Sequence, residues 1–260
     1  MSVTTTAAPP AAVSRSALGR LTVTELKLFI RERVGPVWGV GFPLVLLIVF
    51  GSLPSFGKPE KELGGATLLD VYVPVLIAFS IALLALSALP MVLAGYREKG
   101  VLRRLRTTPM GPVRVLAAQL AVNFAVTVVA ATVILVVAGV AYGVAPPKQP
   151  AGFAVAALLA AAALQAIGLF VAAVAGSGRA AQAIGTVLFF PMMFFAGLWV
   201  PIAQMPTLLR HLSHGTPLGA AVQALQRAAG GDWPHPQQLL VMAVYAVVFG
   251  LAAAKLFRWE

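Results

Sequence analysis

The run VLAAQLAVNFAVTVVAATVILVVAGVAYGVAPP, from Val115 to Pro147, contains no Asp, Glu, Lys or Arg. An α-helix needs about 20 apolar residues to cross the roughly 30 Å of hydrocarbon in a bilayer. This run is longer than that. Its Leu, Ala, Val, Gly and Phe cover every helical face instead of alternating as in a barrel strand. Working outward, further uncharged stretches lie at 34–57, 71–96, 149–178, 180–209 and 233–254. Trimming polar and Pro-rich ends predicts six spans, at 35–53, 74–95, 115–142, 152–175, 183–200 and 238–256. The fold expected is an all-α integral membrane protein.

Composition excludes the main alternatives. The 260 residues are 60% hydrophobic and 10% charged, against about 45–50% and about 25% in a soluble domain that must wet its surface. There is no cysteine, hence no disulfide framework and no thiolate chemistry. A net charge of +11 would suit nucleic acid, but no soluble basic domain carries it, so no nucleic-acid partner is expected.

The charges sort by side. Arg15, Arg20, Lys27, Arg31, Arg33, Arg97, Lys99, Arg103, Arg104, Arg106, Arg114, Arg179, Lys255 and Arg258 fall on one side of the six spans. Only Lys58, Lys61, Lys148, Arg210 and Arg227 fall on the other, and the acids divide evenly. The positive-inside rule then puts both termini in the cytoplasm of a multi-pass plasma-membrane protein. Residues 1–20, rich in Thr, Ala, Pro and Ser, read as a disordered cytoplasmic tail without a cleavable signal peptide. Residues 21–34 read as an interfacial helix against anionic lipid, and 35–257 as the six-span domain.

Polar residues inside spans are costly unless paired or wet. Gln119, Asn123 and Thr127 share one face of span three, and Gln165 lies in span four. They serve either a translocation path or interhelical hydrogen bonds. No span holds a carboxylate, lysine or arginine near its middle, which argues against ion coupling. There is no G-x-x-x-x-G-K-[ST] loop to cradle phosphates. His211 and His214, spaced i, i+3, with Asp232 nearby, form the one constellation an intramembrane enzyme could use. They lack a third metal ligand at a convincing spacing, so neither a catalytic nor a metal site is assigned.

Two segments are more specific. Residues 96–110 contain the pattern E-x-G-x-L-x-x-L-x-x-x-P, carried by Glu98, Gly100, Leu102, Leu105 and Pro109. A second stretch runs from Phe189-Phe190-Pro191 through Gly197, Pro201 and Pro206 to Thr216-Pro217 and Gln223. With Glu25–Arg31 and Phe42–Gly51, these resemble the permease subunits of ABC-2-type transporters, in order over about 25–257. Ala196 and Thr216 stand where that family more often has Ser and Asn.

The resemblance implies an exporter permease that pairs with a second permease copy and with a cytoplasmic ABC ATPase. That partner would bind ATP and Mg²⁺, leaving no cofactor in this chain. The 96–110 segment would be the cytoplasmic coupling helix, with Glu98, Gly100, Leu102, Arg103, Arg104, Leu105 and Pro109 at the ATPase contact. Its Leu residues at helical spacing amid arginines suit docking into a soluble partner. Gly197, Pro201, Pro206 and Pro217 would shape an extracellular gate of re-entrant helices before the last span. Walls of Phe, Met, Leu and Ala, with sparse amides, fit amphipathic or hydrophobic cargo (a drug, antibiotic or lipid), as in efflux that confers antibiotic resistance. Polysaccharide or glycolipid export is the alternative within the family. A channel or scaffold is the alternative outside it, beside the intramembrane enzyme.

Overall fold

The computed structural model describes residues 37–60, 65–101 and 112–256, with residues 24, 26, 27, 31, 35 and 104 as isolated positions. The expected 1–20 tail lies outside the described residues, as does most of the 21–34 helix. Among the described residues every extended element is helical: α1 Val37–Ser52, α2 Leu68–Glu98, α3 Pro112–Tyr142, α4 Pro150–Val174 and α5 Gly178–Phe195. A 3₁₀ turn at Ile202–Gln204 leads to α6 Thr207–Gly215, α7 Pro217–Gly230 and α8 Pro236–Leu256.

Five of these, α2, α3, α4, α5 and α8, are long and apolar enough to cross a membrane. The sixth expected crossing coincides with α1, which at Val37–Ser52 is apolar but shorter. Boundaries moved where caps outweigh hydropathy. α2 begins well before residue 74 because Thr67 and Asp70 form a capping box, the Thr67 amide and hydroxyl donating to Asp70 Oδ2 at 2.8 Å each. Pro74 is carried inside the helix. α5 starts at Gly178 because Ser177 caps it, accepting from the Ala180 amide. It ends at Phe195 because Gly197 takes a left-handed φ of +84°.

α2 is the centre. Its apolar window is 72% buried, against 11% for α8, and Tyr72 through Ala82 are buried on every side. A helix that is apolar all round belongs inside a bundle. Between Leu84 and Ala88 it widens into a π turn, the Leu89 amide donating to Leu84 O five residues back. Pro90 follows, four residues after Leu86 and five after Ala85, and offers neither carbonyl an N–H. Glycines meet those carbonyls: a side chain at Gly168 of α4 would overlap Ala85 O, and one at Gly185 of α5 would overlap Leu86 O. Glycine therefore lets α4 and α5 close on α2 backbone to backbone, the contact that drives helix association where lipid offers no hydrophobic gain. α1 also docks through a glycine, here against a side chain. Its π turn Val37–Gly41 places Gly39 against Leu84, and the Ser80 hydroxyl donates to Gly39 O, whose partner four residues on is Pro43.

α7 is too short to span, yet Leu218, Ala220, Ala221, Val222, Ala224, Leu225 and Ala228 are fully buried among α2, α4, α5 and α8. α6 stays outside, with Leu208 and Leu212 exposed. The corner between them is pinned by Ser213, whose hydroxyl donates to Phe195 O at 2.6 Å, and by Thr216, which caps α7.

Candidate functional site

At the end of α2 that carries Arg97 and Glu98, two consecutive side chains hold the turn between α4 and α5. The Arg97 guanidinium donates to Ala173 O at 3.1 Å and to Ala175 O, the last carbonyls of α4. The Glu98 carboxylate accepts from the Gly178 amide at 3.0 Å, the first of α5. Cation on a helix C-terminus and anion on an N-terminus are the two favourable pairings with the helix dipole. Packing reinforces the joint, since Ala94, Val171, Ala175 and Ala181 form one buried cluster there. Glu98, expected at the ATPase contact, thus makes its described hydrogen bond within the chain. Gly100 ends the helix at φ +67°, and Arg104 follows, its amide donating to Gly100 O. Leu102, Arg103, Leu105 and Pro109 lie outside the described residues.

The polar face is buried. Gln119 is 7% exposed, Asn123 and Thr127 3% each, and Gln165 2%. Asn123 Nδ2 donates to Gln119 O at 3.0 Å. Asn123 Oδ1, Thr127 Oγ1 and Gln165 Oε1 have no hydrogen-bond partner among the described residues. Buried acceptors of this kind cost about 1–3 kcal/mol each unless water or another group reaches them. None of the four lines either cavity described below.

The first cavity, of about 550 Å³, opens between α1, α2 and α5. It is an aromatic groove: Trp38, Phe42, Phe50, Phe56, Tyr72, Phe79, Phe189, Phe190 and Trp199 line it, and its hydroxyl-bearing side chains are Tyr72, Ser87 and Thr186. The rings are linked by contacts from Trp38 to Phe42, Phe79, Phe189 and Phe190, with centroids 5.4–5.8 Å apart, the range of tilted and edge-to-face pairs. Sequence reasoning did not assemble this groove, because its rings come from separate helices. The available signal was that aromatics concentrate in the Phe42–Gly51 and Phe189–Trp199 stretches.

Of the expected gate residues, Gly197 and Pro217 are buried, Pro201 is half-buried and Pro206 exposed. They bracket the 3₁₀ turn and α6 without meeting at one point. His211 and His214 stand 6.2 Å apart by ring centroid, and His211 Nδ1 bonds Thr207 O. Asp232 lies at the opposite end of α7, 3.8 Å from the Arg227 guanidinium. The structure does not bring those three together.

The sequence model of the family described as ABC-2 type transporter matches residues 16–228, more than half of the chain. The chain belongs to the ABC-2 type transporter family. Comparison with curated proteins yields no match. As a member of that family the chain is a multi-pass membrane permease of an ABC transporter, a component that normally works with an ATPase partner. The matched region takes in the ABC-2 permease's Arg97–Glu98 clamp, its aromatic groove and most of α7.

Proposed function

We propose that this permease exports amphipathic or hydrophobic small molecules, paired with a second permease copy and driven by a separate cytoplasmic ATPase that binds ATP and Mg²⁺. The observation that carries the reading is the aromatic groove, whose walls offer large apolar area and three hydroxyl-bearing side chains, with no charged group. Such walls suit a drug, antibiotic or lipid, and give a hydrated glycan or ion no replacement for its water. Both termini face the cytoplasm, α1 supplies the sixth crossing, and α6 with α7 forms a re-entrant lid on the outer side. The burial of so short a helix as α7 supports that role. The unbonded acceptors of Asn123, Thr127 and Gln165 support a path that wets, together with Gln119, when the bundle opens. ATPase closure would act through the 96–110 segment. Leu102 and Leu105 dock, Arg103 and Arg104 meet acidic groups at the rim, and Gly100 and Pro109 set the helix ends. Glu98 would pass the motion to α5.

The test is transport in vesicles holding the permease and its matching ATPase. Lipophilic dyes or lipids should move in an ATP-dependent way, and Leu105→Asp should abolish ATPase pull-down and transport while the permease still inserts. Strong export of a hydrophilic glycan without response to lipophilic compounds would overturn the cargo assignment. Full transport by Leu105→Asp would overturn the coupling assignment.

A further inference from the structure

A second cavity, of about 540 Å³, lies at the end of the bundle opposite the Arg97–Glu98 clamp. It is walled by the start of α2, the last turns of α3, the 144–148 loop, Phe153 of α4 and the end of α7. Unlike the aromatic groove it carries charge of both signs, from Asp70 and Lys148. Asp70 is fixed by its capping box, which engages Oδ2, and Oδ1 has no hydrogen bond among the described residues. Lys148 is fixed by its backbone, whose amide donates to Ala229 O at 3.3 Å. Its ammonium has no partner among the described residues, and no ion pair joins it to Asp70. The rest of the lining is largely apolar, including Val73, Pro74, Leu135 and Phe153, with Gln226 as a further polar side chain.

We propose that this cavity binds a zwitterionic amphiphile with a primary ammonium and an acidic group. The ammonium sits on Asp70 Oδ1, the phosphate or carboxylate on Lys148, and an apolar stem lies against Val73 and Phe153. Two opposite charges that do not neutralise each other, one held by a cap and one on an exposed flexible stem, reward a ligand that bears both, while an anion alone meets Asp70 repulsion. A quaternary ammonium cannot donate the hydrogen bond that a primary one gives the carboxylate. Helix ends stand at headgroup depth, which favours a phosphatidylethanolamine-like lipid over a soluble zwitterion of the same chemistry. Binding is a property of the permease alone and does not rest on the cargo reading above.

Native mass spectrometry of the purified full-length permease in nonionic detergent reads the site. Phosphatidylethanolamine, phosphatidylglycerol and phosphatidylcholine with identical acyl chains are offered in turn. Phosphatidylethanolamine should be retained about tenfold more tightly than the other two. Lys148→Glu should remove that advantage, and Asp70→Asn should erase the distinction between the ethanolamine and choline lipids. Lys148→Gln serves as the variant that folds, because the Lys148 side chain makes no hydrogen bond or ion pair among the described residues and glutamine keeps most of its stem. Charge reversal at Lys255, at the far end of α8, should change nothing. Glycerophosphoethanolamine without acyl chains separates the sources: if it binds equally, with the same dependence on Lys148, the zwitterion stands and its source is soluble. Equal retention of all three lipids, or phosphatidylethanolamine binding undiminished in Lys148→Glu, overturns the proposal.

Discussion

Replacing Arg97 with alanine removes both hydrogen bonds that close the end of α4 against α2. Each bond to a charged donor is worth about 1.5–3 kcal/mol when buried. Arg97 is half-buried and the two bonds share one side chain, so solvent screening brings the pair to about 2 kcal/mol. That corresponds to a fall of about 4–8 °C in melting temperature. It also corresponds to about 30-fold faster hydrogen exchange in the 171–181 amides if that turn opens as a unit. Glu98→Gln keeps an acceptor for the Gly178 amide and loses only the charge at the helix N-terminus, so its cost should be about 0.5 kcal/mol. Glu98→Ala should lie between the two. The double variant Arg97→Ala, Glu98→Ala should cost less than the sum, because both side chains hold the same turn. Thermal unfolding in detergent with peptide-resolved exchange measures all of this. Unchanged exchange at 171–181 in Arg97→Ala, with exchange elsewhere also unchanged, would refute the clamp.

Three further outcomes follow from the packing. Gly168→Ala and Gly185→Ala should each cost about 1–3 kcal/mol or prevent folding, since the added methyl meets backbone that cannot swing aside. Gly250→Ala, facing open space, should be neutral or gain up to about 1 kcal/mol, and the folded yield of the three ranks them. Ser213→Ala should cost about 1–3 kcal/mol by orphaning the buried corner at Phe195 O, read as a drop in melting temperature. Burial, with the charges of His211 and Arg210, holds His214 below the usual histidine pKa. The unfolded chain therefore takes up the proton more readily. Stability should be full above about pH 6.5 and fall as the pH drops below it, and His214→Gln should flatten melting curves taken between pH 7.5 and 5.5.

Charge gaps located the helices because the hydrocarbon requirement acts on long runs, and Thr67, Ser177 and Thr216 then set ends that hydropathy blurred. Which glycines serve packing was not legible in the sequence. Gly39 proved to be a packing site while Gly250 faces nothing, and spacing alone carries no information on the neighbour. The Arg97–Glu98 clamp was read as outward-facing charge, because its partners stand 76 to 80 residues away in the chain. Hydropathy cannot see a hydrogen bond to a distant carbonyl. The aromatic groove was hidden for the same reason, its rings being scattered over three helices and two loops. The polar face of α3 was legible as a face, since i, i+4 periodicity is local. That Asn123 Oδ1 and Thr127 Oγ1 lie buried with no hydrogen bond among the described residues was not.

The π turn in α2 turns residue count into angle. Each α-helical residue advances the chain by about 100° around the axis, so deleting one residue within Leu84–Ala88 would spin everything beyond it relative to the Thr67–Asp70 end. Arg97 and Glu98 would swing off the α4–α5 turn, and the carbonyls of Ala85 and Leu86 would leave their glycine notches. The helix thus behaves as a keyed shaft, cut to one length at both ends. Substitutions that preserve its number of residues can be absorbed by neighbouring side chains, whereas an insertion or deletion in it strips every key at once.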